Sequence, residues 1–558
     1  MTTTQAGRSA LGGVDGPGDG RNEERVRSRG VVLLTTAGVA AAAALFFVYY
    51  KASVHGFGAN SDGATVVLEG KSLGMGHLAL GDWDLSFDSF WTIDAPFYAL
   101  AVLVAGVRIQ LLHAVPAFIA LSVVVLGSLL AGWGRKGLAA LLGALAVVVL
   151  VGLPAPILAF FALQGPWHIG TALWCVAAFA TFSTGRFGAW WVLGVALLAA
   201  GLLGDLQMVA LGVVPTFAAG LLAMVRARSW RRGISTVLAA PSGILLALAV
   251  RFALVRVGTF HIATGVVRAH QSQLPANFRH IATWGAALLG VGSAPIGPAP
   301  SLSAEDLTNG PTAFHVMRAL GLVLVLVAIV LSAARIVRGV ALGDKGAPER
   351  GVGLDDLLTM ALLGDLAVFV LVTPDGNGDY ARYLTAGVIF AAVLAGRVVA
   401  RWADGAPRRV VHGAALVLLT CFATFGSEVL VDLHGPVAPQ PAIALGSFLA
   451  EHHLDNGIGD YWSSSIVTVV TAGHVSVRPV ITNDALQLVR YGRQSSASWY
   501  TSPFGFLVFD TARPWRKVDA ASATVSFGTP AHTYSVGTYR VLVWSHPISV
   551  SNIGYSRD

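Results

Sequence analysis

The chain has 558 residues, 55% of them hydrophobic and only 12% charged, with a mean hydropathy of +0.67. Soluble domains carry about twice that share of charge, so water is not its main solvent. The net charge of +7 lies in short clusters between apolar runs, a pattern of membrane topology that excludes a nucleic-acid-binding face.

Residues 1–30 are rich in Gly, Arg and Glu and predict a disordered cytoplasmic tail. Val31 to Tyr50 is uncharged, follows Arg25, Arg27 and Arg29, and ends in an aromatic belt, as a first span with its N-terminus inside would. A cleaved signal peptide is the alternative, but the run exceeds the usual secretory length. Further apolar segments lie near 114–134, 137–153, 169–185, 187–204, 206–225, 233–250, 319–334, 357–373, 383–400 and 410–427. Alternate connections carry Arg135 and Lys136; Arg186; Arg226, Arg228, Arg231 and Arg232; Arg335, Arg338, Lys345 and Arg350; and Arg401, Arg408 and Arg409. The positive-inside rule makes all of these cytoplasmic. Ala95 to Val107 is short for a span and fits an interfacial helix; counting it as a span would place every basic cluster outside.

The expected fold is therefore an α-helical polytopic membrane protein with about 11 transmembrane helices, N-in and C-out, in a plasma membrane. Residues 31–434 would form the membrane domain and 435–558 a small extracytoplasmic α/β domain, with an opening helix around Pro441 to His453. Ser465 to Val475, Ala523 to Phe527 and Tyr539 to Trp544 have strand-like composition. Cys175 and Cys421 fall in apolar segments and read as small hydrophobes; there is no zinc spacing, P-loop or dinucleotide fingerprint.

The informative charges crowd outside. The first outer loop, 51–113, holds Asp62, Glu69, Asp82, Asp84, Asp88 and Asp94 among Trp83, Phe87, Phe90, Trp91, Phe97 and Tyr98, which suits a loop packed on the membrane with carboxylates turned to a cavity; a solvated acidic loop is the alternative. The long outer loop, 251–318, carries Arg256, His261, Arg268, His270, Arg279 and His280. An anionic ligand would explain them, as would pairing with the acidic loop or with lipid head groups. Asp375, Asp379 and Arg382 form a third group, and His168 and Asp205 sit at two outer helix ends, where each alone is more often a cap or an anchor. Together these groups suit transfer from a phosphate-bearing lipid. A carboxylate would act as general base, and arginine, with or without a divalent cation such as Mg or Mn, would stabilise the leaving phosphate.

This layout resembles the GT-C superfamily of membrane glycosyltransferases. Asp62, in Asn60-Ser61-Asp62-Gly63-Ala64, stands where that family has its first-loop catalytic carboxylate, and Gly81 to Tyr98 looks like the surface segment of the same loop, with Asp82-Trp83-Asp84 in Asp-x-Asp spacing. Gly165-Pro-Trp-His-Ile-Gly170 offers His168 in the second outer loop, with Trp167 where an acid is common. Gly459-Asp-Tyr-Trp462 is similar to the start of appended outer domains, and the Ala-, Gly-, Val- and Leu-rich style is that of a high-GC bacterium such as an actinobacterium. The resemblance implies an inverting hexosyl- or pentosyltransferase that takes a polyprenyl-phosphate-linked sugar to a glycan, lipid or protein acceptor. Asp62 would be the base, with Asp82, Asp84, His168, Asp205, Arg268, Arg279 and Arg382 binding substrate, and Asp62, Asp84 and His168 as ligands of any metal. The alternatives are a transporter or flippase for a lipid-linked solute, for which only Asp365 and Arg251 lie at suitable depth, and a scaffold that displays the C-terminal domain.

Overall fold

The structure is a computed structural model that describes residues 19–183, 187–263, 268–292, 312–343, 352–372, 378–435 and 437–555; for 19–34, 263, 312–313, 378–379 and 432 it describes the backbone alone. Arg186, Lys345, Arg350, Asp375 and the side chain of Asp379 lie outside the described residues, as does 1–18 of the expected disordered tail. From Asp19 the chain is already helical, in α1 (Asp19–Gly56). The chain forms two compact units, 1–47 and 48–558. The described part of the first is the N-terminal portion of α1.

In the second unit, α2 (Ser61–Gly74), β1 (Trp83–Ser86) and α3 (Ala95–Ala105) build the first loop. The bundle follows as α4 (Leu111–Gly132), α5 (Gly137–Val147), α6 (Pro156–Leu163), α7 (Ile169–Phe182), α8 (Ala189–Gly204), α9 (Val214–Ala227) and α10 (Ile234–Arg256). After β2 (His261–Ala263) come α11 (Leu274–Leu288), α12 (Thr312–Leu342), α13 (Leu354–Val372), α14 (Thr385–Gly405) and α15 (Arg408–Asp432). Among the described residues, 7 helices are long and apolar enough to cross a membrane, or 8 if the pair Gly137–Gly152 and Pro156–Leu163, bent by 85°, is one span. The expectation of about eleven spans is therefore coarser than it was drawn. Each apolar segment is helical, but α7 and α8 have only 14 and 16 residues, and α13 carries Asp355, Asp356 and Asp365.

Several arginines expected on the cytoplasmic side, among them Arg226, Arg335 and Arg401, are tied into the bundle. Asp355, at the start of α13, accepts hydrogen bonds from Arg335, Arg397 and Arg401, and Asp356 accepts one from Arg226 at 2.8 Å. This joins α9, α12, α13 and α14 at one end. Removing one member of a buried ionic network leaves its partners uncompensated, at a cost on the order of 3 kcal/mol. Asp355→Ala is thus expected to lower the thermal midpoint of the solubilised protein by several degrees; an unchanged midpoint would show the network to be ornamental.

The C-terminal region contains α16 (Pro441–Glu451), β3 (Asn456–Gly459), α17 (Tyr461–Val470), β4 (Ser476–Thr482), β5 (Leu488–Arg490), β6 (Ser495–Ser496), β7 (Phe504–Asp510), α18 (Ala520–Phe527), β8 (His532–Val536) and β9 (Tyr539–Ile548). Its sheet runs β5-β4-β3-β7-β9-β8, with β3 parallel to both neighbours and the remaining pairs antiparallel. Two of the strand-like stretches are helices. Capping overrides their β-branched composition: Asp460 accepts the Ser463 N–H at 3.1 Å, and Asp519 forms a reciprocal capping box with Ser522. A second sheet, β2-β1-β6, pairs the first loop with the long loop and with the C-terminal region.

Candidate active site

The site begins at the N-terminus of α2. Asn60 caps that helix by accepting the Gly63 N–H at 3.0 Å, so Asp62 falls in its first turn. Helix α17 is bound alongside: the Ser61 hydroxyl donates to the Trp462 carbonyl at 3.0 Å and the Thr65 hydroxyl to Ser465 Oγ at 2.9 Å. Tyr461, the first residue of α17, donates its phenolic proton to Asp62 Oδ1. Burial pushes the Asp62 carboxyl above its ordinary range, and the Tyr461 hydrogen bond and the charge of Arg382 offset this only in part.

The other half forms where the first loop is fastened to α8. The Phe90 N–H donates to the Gly204 carbonyl at 2.7 Å. A Cβ on Gly204 would meet Ile93 and Thr92 atoms at 2.7 and 2.8 Å, and one on Gly170 would meet Ile93 and Asp94 atoms at 2.5 and 2.8 Å. Only glycine admits so close an approach, and it brings residues 88–94 against the start of α7 and the end of α8. Asp205, the residue that follows α8, accepts from His168 Nδ1 at 2.7 Å, from the Thr171 hydroxyl and from the Gln207 N–H at 2.8 Å. His168, with φ +67°, is held in the left-handed region at the head of α7. Asp88 completes the group: one donor atom each from Asp88, His168 and Asp205 lie within 4.8 Å of one another.

Burial alone would lower the His168 pKa, but the charge and hydrogen bond of Asp205, with Asp88, outweigh it and leave it raised. Burial likewise works against the Asp205 carboxylate, yet His168, Thr171 and the Gln207 N–H hold it below its ordinary value. Asp88 is raised, by burial first and then by the charge of Asp205. Its Oδ1 has no hydrogen-bond partner. Two carboxylates and an imidazole form a donor set that suits Mg²⁺, Mn²⁺ or Zn²⁺, and the orphaned Asp88 oxygen fits a bound cation. With the His168 proton on Nδ1, its Nε2 lone pair is left for a ligand.

Arg382 links the two halves. It lies in the turn Gly378–Leu384 before α14, its guanidinium 5.1 Å from the Trp167 ring centroid and 5.0 Å from that of Tyr383. The charges of both Asp62 and Asp88 act on it, and its Nε is unpartnered. Five residues distant in sequence, Asp62, Asp88, His168, Asp205 and Arg382, thus occupy one electrostatic neighbourhood.

The remaining candidates are placed elsewhere. Asp82 accepts from the Ser496 hydroxyl, and Asp84 pairs with Arg490 at 2.7 Å and with His261 at 3.5 Å. Both brace the loop against the C-terminal region, and neither belongs to the cation cluster, whose members are Asp88, His168 and Asp205. Asp84 and Asp62 were expected as metal ligands; Arg490 has claimed the first and Tyr461 bonds the second. Arg268 and Arg279 are exposed. Asp365 accepts the Gly387 N–H at 3.1 Å, whereas Arg251 donates to the Phe260 carbonyl at 3.0 Å, so these two serve separate elements. Asp88 was hidden among the loop acids, and Tyr461 was visible only as part of Gly459-Asp-Tyr-Trp462, with no local sign that it would reach Asp62.

No protein-family model matches the chain, and no curated protein matches it. Similar solved structures include ArnT from Cupriavidus metallidurans bound to undecaprenyl phosphate, at 13% identity and a TM-score of 0.48, covering 91% of this chain and 98% of that one. The oligosaccharyltransferase AglB from Archaeoglobus fulgidus, in complex with an inhibitory peptide and a dolichol-phosphate, is similar at 13% identity and a TM-score of 0.44, covering 87% of this chain and 71% of that one. The A. fulgidus oligosaccharyltransferase tethered to an acceptor peptide is similar at 14% identity and a TM-score of 0.41, with the same coverage.

Proposed function

We propose that this protein is an inverting glycosyltransferase that moves a sugar from a polyprenyl-phosphate donor to an acceptor hydroxyl at the outer face of a bacterial plasma membrane. The observation that carries this reading is Arg382, which stands within charge reach of both Asp62 and Asp88. A base and an anion-stabilising group meet there around one point, as displacement at a sugar carbon requires.

In the proposed step Asp62 takes the acceptor hydroxyl proton as the new C–O bond forms at the anomeric carbon. The bond from that carbon to the phosphate oxygen breaks, its electron pair leaves with the phosphate, and Arg382 stabilises the charge. The transition state resembles an oxocarbenium ion, which nearby carboxylates favour. A divalent cation held by Asp88, His168 and Asp205 would supply further positive charge to the phosphate. The exposed Arg268 and Arg279 are available to the head group.

The test is a donor assay on the purified protein in lipid nanodiscs. Polyprenyl-phosphate sugars, supplied one at a time with mixed acceptors, should be converted to free polyprenyl phosphate, while the matching nucleotide sugars remain intact. Consumption of the nucleotide sugar, or passage of the intact lipid-linked sugar across vesicles without cleavage, would overturn the reading.

A further inference from the structure

Nothing in the transfer step uses the aromatic cluster that the C-terminal region sets beside Asp62. The Tyr461 ring lies 5.1 Å from Trp462, 5.3 Å from Tyr491 and 5.7 Å from Trp515, and Tyr491 meets Trp515 edge-on at 5.1 Å. The core aromatics of the same region, Tyr500, Phe504 and Phe506, are buried, as packing alone would have them. Tyr491 and Trp515 are only half-buried and Trp462 is 42% exposed. These rings carry an apolar surface that the protein itself does not cover.

Polar groups rim the cluster. Gln494 Oε1 is placed against the Tyr461 hydroxyl. A phenol has one proton, and Tyr461 gives it to Asp62, so Gln494 must turn its amide nitrogen to this oxygen and donate. Arg516 is exposed, its guanidinium 6.0 Å from the Trp515 ring centroid. The two turns that present Tyr491 and Trp515 also hold Gln494 (φ +50°), Arg516 (φ +50°) and Lys517 (φ +56°) in the left-handed region. Non-glycine residues pay for that conformation, and such strain gathers where a surface must keep a set shape.

Resting on the glycosyltransfer reading, we infer that Tyr491, Trp515 and Trp462 form a saccharide platform that seats the acceptor, and that the acceptor is a glycan. A sugar ring has an apolar C–H face and a polar rim. The face stacks on an aromatic ring while the rim hydroxyls meet donors such as Gln494 and Arg516. A sugar so seated is one hydrogen bond from the base, because Tyr461 belongs both to the cluster and to the Asp62 contact. An extended peptide would need exposed backbone partners and a lipid acceptor a buried groove, and this surface is an exposed one of mixed aromatic and polar side chains.

The full-length protein in nanodiscs would be offered soluble mannose, galactose and arabinose trisaccharides, with a serine- and threonine-containing peptide and a diacylglycerol as rivals. Transfer to a trisaccharide is expected, and Trp515→Ala and Tyr491→Ala should each raise its KM about tenfold with a much smaller change in kcat. Trp515→Phe, which keeps a stacking face, should recover most of the loss. Saturation-transfer NMR reads trisaccharide binding without chemistry, and its signal should vanish in Trp515→Ala. Transfer to the peptide or the diacylglycerol alone, or a trisaccharide KM and NMR signal untouched by Trp515→Ala, would overturn the platform. If the wild-type protein cleaves no donor, the reading beneath it fails instead, and the NMR result still decides the platform.

Discussion

Asp62→Asn is expected to reduce sugar transfer on the order of a thousandfold while the thermal midpoint stays within about two degrees of wild type. Removing a general base costs about 10²–10⁴ in rate. Asparagine keeps the shape, and its amide oxygen can still accept the Tyr461 proton, so the contact between α2 and α17 survives. The residual rate would come from positioning and from Arg382. The pH profile adds a check. Burial raises the Asp62 pKa toward working pH and Tyr461 pulls it down, because a hydrogen bond to the carboxylate favours the charged form. Activity through this base falls as the pH drops below its pKa. Tyr461→Phe removes the counterweight, so the acid limb should move to higher pH. Transfer by Asp62→Asn within tenfold of wild type, or an acid limb unmoved in Tyr461→Phe, would take Asp62 out of the base role.

Much of the site is visible in the sequence as sidedness rather than as motif. Asp62 stands out in the acidic loop after the first apolar run, and His168, Asp205 and Arg382 because each lies at the end of an apolar run, on the side that the basic clusters mark as the outer one. Their common neighbourhood is not visible, because it depends on α2, α7, α8 and the turn before α14 meeting in space. Asp88 shows the limit well. It is one acid among several in the first loop, and contacts distant in sequence, among them the Phe90 to Gly204 hydrogen bond and the bare faces of Gly170 and Gly204, turn it onto Asp205. Asp84 is the converse case: Arg490, far along the chain, pairs with its carboxylate. Local periodicity carries neither fact. In the C-terminal region β-branched residues suggested strands where Asp460 and Asp519 cap helices, a case of end chemistry outweighing propensity.

A divalent cation is expected to stabilise the protein more as the pH rises, and its removal to lower transfer about a hundredfold or more. The sign follows from the protons. In the unfolded chain Asp88 and Asp94 titrate near 4. In the fold, burial and the charge of Asp205 raise Asp88 and push Asp94 up to about 7. Between those values the native state binds more protons than the unfolded one, so without metal stability falls as the pH climbs from about 4 to about 7. His168 acts in the same direction: its raised pKa adds stability at low pH that is lost as the pH passes its folded value. Asp205, held low, works the opposite way, but its contribution is lost only in more acid solution, below this window. A cation on the ionised Asp88 replaces the missing protons. Free Mn²⁺ or Mg²⁺ at a hundred times its Kd would add about 2.7 kcal/mol, and a carboxylate site frees itself for metal only once deprotonated. The thermal midpoint of chelator-treated protein should therefore decline between pH 5 and pH 8, and added Mn²⁺ should restore it at pH 8 while doing little at pH 5. Asp88→Asn with His168→Ala should abolish that restoration and reduce transfer to the level of the chelated wild type. A Mn²⁺ shift of equal size in the double variant would place the cation elsewhere, and a midpoint that is flat in pH would take Asp88, Asp94 and His168 out of this linkage.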